Sequence, residues 1–218
     1  MNQGNNTKTY WEDRFREKGL IWGLEPSEGA VKAAEFLNGS TNKKRILDVG
    51  CGYGRDLAYF FSKGYEVTGV DFSEEAVSLG KELFPNIRFD VSNVIPLPYE
   101  DESFDAVYGY SSLHLLNQEG RQRFLQESRR VLADGGYVIQ TVASTNDPDY
   151  GDGEETEENS FISKRGVIKH FYTLETLLKE FDKFKVLKTE EVKIHHTHDE
   201  PHDHFDYFVI AQKVASQR

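Results

Sequence analysis

The chain has 218 residues, 38% of them hydrophobic, which suits one domain able to bury a core without a metal or disulfide staple. Its single cysteine, Cys51, excludes an internal disulfide framework, and a net charge of −11 disfavours a nucleic-acid partner. No apolar run approaches the roughly 18 residues that span a bilayer, and Met1 to Tyr10 is polar, so the expectation is a cytoplasmic protein without a membrane partner.

Thr9 to Asn38 reads as two amphipathic helices broken at Gly23 to Pro26, a helical cap within positions 1–43. Ile46 to Val49 is a short apolar run ending in glycines, hence a buried strand, and Arg55 to Ser62 is the helix that follows it, closed by Gly64. Tyr65 to Val70 is a second strand. Ser73 caps a helix that runs to Leu83 and stops at Phe84-Pro85. Ile87 to Asp90 and Phe104 to Tyr108 are further strands. Asn117 caps a helix with Phe124, Leu125, Val131 and Leu132 on its apolar face, ended by Gly135-Gly136, and Tyr137 to Val142 is the fifth strand. Ser144 to Ser160 is acidic and turn-rich, so positions 143–172 read as an acidic loop, either a lid or merely solvated. Thr173 to Phe181 is helical. Phe184 to His196 and His204 to Lys213 are strands joined by a turn at Glu200-Pro201, too short for anything but an antiparallel pair.

Repeated strand–helix–strand units predict an α/β fold. It is Rossmann-like: a mostly parallel seven-stranded sheet with helices on both faces and an antiparallel terminal hairpin. Positions 1–218 form one domain, with a cofactor-binding core at 44–142 and the last helix and hairpin at 173–218.

Asp48-Val-Gly50-Cys-Gly52-Tyr-Gly54 joins the first strand to its helix, and glycines there allow a sharp turn and close approach to a ligand. Asp71 follows the second strand, 21 residues after Gly50, where a carboxylate suits a ribose. Asp90 ends the third strand, within reach of an adenine amino group. The dinucleotide fingerprint G-x-G-x-x-G fails, because Arg55 or Leu57 stands where its third glycine belongs. Asp48 would also oppose a pyrophosphate and favour a ligand bearing an ammonium group.

These motifs resemble those of class I S-adenosylmethionine (SAM)-dependent methyltransferases: Ile46 to Gly54 is similar to the family's first motif and Val70-Asp-Phe-Ser73 to its second. Asp90-Val91, Phe104-Asp-Ala-Val107 and Leu132-Ala-Asp-Gly-Gly136 follow in the family's order. The segment from Tyr10-Trp11 to Trp22 bears a fainter similarity to the small-molecule branch that includes tellurite-resistance and thiopurine methyltransferases. The resemblance implies SAM as cofactor, with S-adenosylhomocysteine as product. It places Gly50, Gly52 and Gly54 along the methionine moiety, Asp48 beneath it, Asp71 on the ribose hydroxyls, Phe72 beside the adenine, Asp90 and Val91 at the adenine edge, and Tyr108 beside the sulfonium. Aromatic residues gather near the expected mouth, where Tyr10, Trp11, Trp22, Tyr108 and Tyr110 cover the sulfonium through cation–π contact, or Trp11 and Trp22 only pack a helix onto the sheet.

The acceptor expected is a small molecule or metalloid. The segment after the fourth strand, Tyr108 to His114, lacks the Asn/Asp-Pro-Pro-aromatic motif of amino-methylating nucleic-acid enzymes. No second cysteine serves a cytosine-C5 mechanism. A histidine-rich turn, His195-His196-Thr-His198-Asp-Glu-Pro-His202-Asp-His204, falls at the cofactor edge. His198, His202 and the separate His114 are candidate bases, and His195, His204 and Tyr110 candidate acceptor contacts; no residue is assigned to a metal. The alternative is a SAM-fold binding or regulatory protein without turnover, binding metal through that turn. A monomer or homodimer is expected.

Overall fold

The computed structural model describes residues 3–39, 45–196 and 202–215, with the side chains of all of these except 3–6, 196 and 202. Helices α1 (Gln3–Lys18) and α2 (Glu28–Asn38) precede strand β1 (Arg45–Val49), followed by α3 (Arg55–Ser62), β2 (Glu66–Asp71), α4 (Glu74–Leu83), β3 (Arg88–Val91) and β4 (Phe104–Tyr110). A 3-10 turn (Leu113–Leu115), α5 (Gln118–Val131) and β5 (Leu132–Ala143) come next. After them lie β6 (Glu154–Glu157), β7 (Ser160–Ile162), β8 (Ile168–His170), α6 (Leu174–Glu180), β9 (Lys185–His196) and β10 (His202–Gln212).

The seven-stranded sheet has the order β3-β2-β1-β4-β5-β10-β9. The first five strands pair in parallel, while β10 runs antiparallel to both β5 and β9. Alternation of side chains along each strand fills both faces. Leu47, Val107, Val138 and Val209 pack under Phe124 of α5 and Leu177 of α6. Their neighbours Ile46, Ala106, Ile139 and Ile210 meet Ala33 and Leu37 of α2 and Phe60 of α3. Each large side chain buried this way contributes about 1.5–3 kcal/mol. Ser73 and Asn117 cap α4 and α5 as read from the sequence, accepting from the Ala76 and Gly120 N–H groups.

Two elements depart from the sequence reading. The segment expected to be an acidic loop carries a three-stranded antiparallel sheet, β6-β7-β8. Tyr150, Phe161 and Phe171 cluster at its side with ring centroids 5.4–6.0 Å apart, and buried Ser160 hydrogen-bonds His170 Nδ1 at 2.8 Å. Strand β6 is mostly exposed and reads Glu-Glu-Thr-Glu, so composition conceals a strand held by its backbone pairing. Strand β5 also begins at Leu132, and Gly135-Gly136, expected to end α5, lies within it. No helix among the described residues is long and apolar enough to cross a membrane.

Gly54 shows how tightly the first turn is packed. It holds φ +83°, and a Cβ there would stand 2.5 Å from the Phe89 ring. Gly54→Ala is therefore expected to lower the unfolding free energy by about 2–4 kcal/mol, combining left-handed strain with overpacking. Urea titration measures it, and a loss below about 0.5 kcal/mol contradicts the packing account.

Candidate functional site

A cavity of about 340 Å³ lies over the carboxyl ends of β1, β2 and β4 and the amino end of β10, bounded by the glycine turn and roofed by α1. The turn is built by backbone conformation. Gly50 and Gly52 adopt φ +76° and +54°, and a Cβ on Gly50 would strike Ser112 at 2.7 Å. Asp71 then pins the turn: its Oδ2 accepts from the Gly52 N–H (2.8 Å) and its Oδ1 from the Ser73 N–H (2.9 Å).

The floor of this end is negative. Asp48, Asp56 and Asp71 all line the cavity. Asp56 is satisfied, accepting from the Ser27 N–H and hydroxyl at 2.7 Å each and from the Tyr108 hydroxyl at 3.0 Å. Asp48 is buried, and no hydrogen-bond donor among the described residues reaches its carboxylate. Burial pushes its pKa well up, the charges of Asp56 and Asp71 push the same way, and Arg55 alone opposes them. A ligand bringing positive charge relieves this strain; one bringing phosphate deepens it.

Aromatic rings close the roof. Trp11 and Phe15 of α1 meet Trp22 at centroid separations of 5.7 and 5.9 Å, and all three line the cavity with Phe72. The Arg55 guanidinium lies 5.8 Å from the Trp22 ring and 5.5 Å from Tyr110. Glu12 latches α1 to the amino terminus of α4, accepting from the Ser73 hydroxyl (2.8 Å) and the Glu74 and Glu75 N–H groups (3.0 and 3.2 Å). Although burial works against ionisation, these donors hold the Glu12 carboxyl below its usual range. Glu12→Ala is expected to cost about 0.5–1 kcal/mol of stability and to shift the emission of the two tryptophans as the roof loosens. Unchanged emission and melting would show that α1 is held elsewhere.

The opposite end of the cavity is lined by His114, Lys169, His204 and Asp206 beside the apolar walls of Leu116 and Phe124. Asp147 organises this end. Its Oδ2 accepts from His204 Nδ1 (2.8 Å) and from the Phe205 N–H (2.9 Å), and the Lys169 ammonium stands 3.4 Å from its Oδ1 and 3.1 Å from Asp149. Burial alone would raise the Asp147 pKa, but His204 and Lys169 hold it well below the carboxylate range. The same bond raises His204 against the effect of its burial. Ligand atoms of Asp147, Asp149 and His204 gather within 4.8 Å, and the cation on those carboxylates is the ammonium of Lys169.

The structure separates the residues singled out from sequence. Asp48, Gly50, Gly52, Asp71, Phe72, Trp11, Trp22, Tyr110, His114 and His204 line one cavity. Gly54 lies outside it, its Cα turned toward Phe89. Tyr108 is not at the reacting end: its ring is buried against Phe60 at 5.1 Å, and its hydroxyl supports Asp56 from below. Asp90 pairs with Arg88 at 2.9 Å and accepts from Tyr99 at 3.0 Å, and Val91 is 45% exposed on the β3 rim, so neither lines the cavity. His195 is exposed and bonds Asp203 at 2.8 Å, also away from the cavity. His198 and the side chain of His202 lie outside the described residues.

His114 is placed at the cavity but is ill suited to be a base. Its Nδ1 accepts the Ala143 N–H at 2.9 Å, and burial drives its pKa well down. The neutral ring then carries its proton on Nε2 and can only donate there. Cys51 is equally inert, because burial pushes its thiol up and keeps it protonated. Asp206, Asp147 and Lys169 were not singled out from sequence. Period-two alternation through Phe208 and Ile210 would have turned Asp206 to the same buried face, the one local signal available.

Comparison with known proteins bears on the family and the fold. Residues 46–136 match the family described as Methyltransferase domain. A demethylmenaquinone methyltransferase of Renibacterium salmoninarum is 34% identical over 113 residues, covering 52% of this chain and 46% of that protein. The chain thus spans about half the length of the curated relatives it matches. A SAM-dependent methyltransferase of Methanosarcina mazei superposes with a TM-score of 0.74 at 26% identity, covering 84% of this chain and 98% of that one. The 1,6-didemethyltoxoflavin-N1-methyltransferase of Burkholderia thailandensis, solved with its substrate and S-adenosylhomocysteine, shares the fold at 19% identity. Its TM-score is 0.69, over 98% of this chain and 87% of that one.

Proposed function

We propose that this chain, whose residues 46–136 match the family described as Methyltransferase domain, uses SAM as its cofactor and transfers a methyl group to a small-molecule acceptor. The observation that carries the reading is the unpartnered Asp48 carboxylate among the acids of an aromatic-roofed cavity that continues, without a partition, into a polar end. A methionine ammonium and a sulfonium are the charges that such a floor lacks.

SAM, once bound, supplies a methyl carbon on a sulfonium, a leaving group that needs no further activation. The protein's work is therefore orientation. Asp71, already aligned by two N–H groups, keeps lone pairs for ribose hydroxyls. Asp48 faces the ammonium end, and Gly50 and Gly52 allow the backbone to approach. Phe72 flanks the base. Trp11, Phe15 and Trp22 exclude water from the roof, and Tyr110 stands between the two ends. His114 presents its Nε2–H to an acceptor oxygen or ring nitrogen, fixing its angle. Leu116 and Phe124 supply apolar contact for a flat acceptor body.

The test is a survey of small phenols, quinols and aromatic amines with methyl-labelled SAM, reading labelled product and S-adenosylhomocysteine together. Methylated product in stoichiometric step with S-adenosylhomocysteine supports the reading. Tight SAM binding with no product from any of these classes favours a SAM-binding protein without turnover.

A further inference from the structure

Asp206 is a buried carboxylate at the polar end of the cavity. It sits on β10 opposite Ala143, the last residue of β5, at the edge of the sheet where the cavity opens. It is only 5% exposed, yet no hydrogen bond or ion pair to its carboxylate exists among the described residues. A buried acid without a partner is rare unless something from outside completes it. Its surroundings explain the isolation. His204 and Lys169, the nearest cations, are both engaged by Asp147. His114 on the 3-10 turn accepts the Ala143 N–H, and Arg55 of α3 is engaged by the Trp22 carbonyl and Asp56. Tyr110 from β4 lines the same cavity and feels the Asp206 charge, so the two groups are near one another.

Resting on the methyl-transfer reading, we infer that Asp206 takes the proton of the acceptor's nucleophile, so that the acceptor offers a protic oxygen or nitrogen rather than a carbon or a metalloid. In the step, an acceptor lone pair forms the new bond to the methyl carbon as the carbon–sulfur bond breaks. Its electron pair leaves on sulfur, and the O–H or N–H proton passes to an Asp206 oxygen. Charge balances, because one positive charge is lost at sulfur and one proton is held by the protein. Burial, reinforced by Asp147 and opposed by Lys169 and His204, raises this carboxyl to about 6, a suitable range for a base acting near neutrality. His114, Tyr110 and Asp149, the last of which binds Lys169, are the other titratable groups near this end among the described residues.

The test does not require the acceptor. With carboxyl-labelled aspartate, and Asp206→Asn to assign the signal, Asp206 is titrated by NMR in the full chain bound to SAM and then to S-adenosylhomocysteine. A cationic sulfonium beside Asp206 should lower its midpoint by about one pH unit relative to the neutral thioether. Equal midpoints in the two complexes would overturn the assignment while leaving the methyl-transfer reading intact; failure of both ligands to bind would remove that reading and this one together. With whichever acceptor is turned over, Asp206→Asn should lower kcat by roughly 100-fold or more and abolish its acidic limb. An unchanged kcat and pH profile would also overturn it.

Discussion

Replacing Asp71 by alanine is expected to weaken SAM binding by about 1–3 kcal/mol, roughly five- to 150-fold. The effect is large because one carboxylate does two jobs. Its oxygens align the glycine turn through the Gly52 and Ser73 N–H groups, at 2.8 and 2.9 Å, and the lone pairs left over are those assigned to the ribose. Removing it also strands a buried donor at Gly52, so the turn loses definition even without ligand. Asp71→Asn separates the two roles. Its amide oxygen can keep one N–H, which restores part of the fold stability, whereas two charge-assisted contacts to hydroxyls are lost. Calorimetric titration of both variants, alongside urea unfolding, reads affinity and stability independently. Unchanged affinity in Asp71→Ala would remove the carboxylate from the cofactor site.

Asp206→Asn is expected to make the protein more stable at pH 8 while impairing turnover. The wild-type carboxyl titrates at about 6 in the folded state, above an ordinary value of 3.8, because it is buried. A raised folded pKa means that the native state binds the proton more tightly. Its stabilising contribution is therefore complete below the unfolded pKa and lost as pH rises through the folded one. Above pH 7 the ionised, unpartnered group costs about 3 kcal/mol, which the neutral amide removes. Thermal unfolding of the variant should exceed wild type by several degrees at pH 8, with the gain vanishing near pH 4. Equal melting at both pH values would show that the carboxylate is not held at that disadvantage. A residue kept at such a cost in stability is what a site selected for chemistry leaves behind.

These effects bear on how far the sequence could be read. Local features survived translation into structure. Ile46 to Val49, the glycine turn and Asp71 are contiguous or follow one strand–helix unit, so spacing alone placed them on one edge. The terminal hairpin was legible because two apolar runs flanked a turn too short for a crossover. The acceptor end was not legible, because it is assembled from afar: Asp147 follows β5, Lys169 lies on β8, and His204 and Asp206 on β10. Lys169 reaches the cavity only because the acid-rich segment folds into its own sheet, which its composition argues against. His114 and Tyr108 failed differently. Both were placed near the right strand end, but Nδ1 of His114 is taken by Ala143, and the Tyr108 ring turns to the helix face. Strand position fixes a face only when the register is known.

We propose that the cavity under Trp11 and Trp22 binds SAM for methyl transfer. Isothermal titration of SAM, S-adenosylhomocysteine and NAD into the metal-free protein, followed in parallel by tryptophan emission, tests it most directly. The expected result is one site per chain for both SAM and S-adenosylhomocysteine, an emission change with each, loss of affinity in Asp71→Ala, and no response to NAD. NAD binding without SAM binding, or silence toward both sulfur ligands at millimolar concentration, would contradict it.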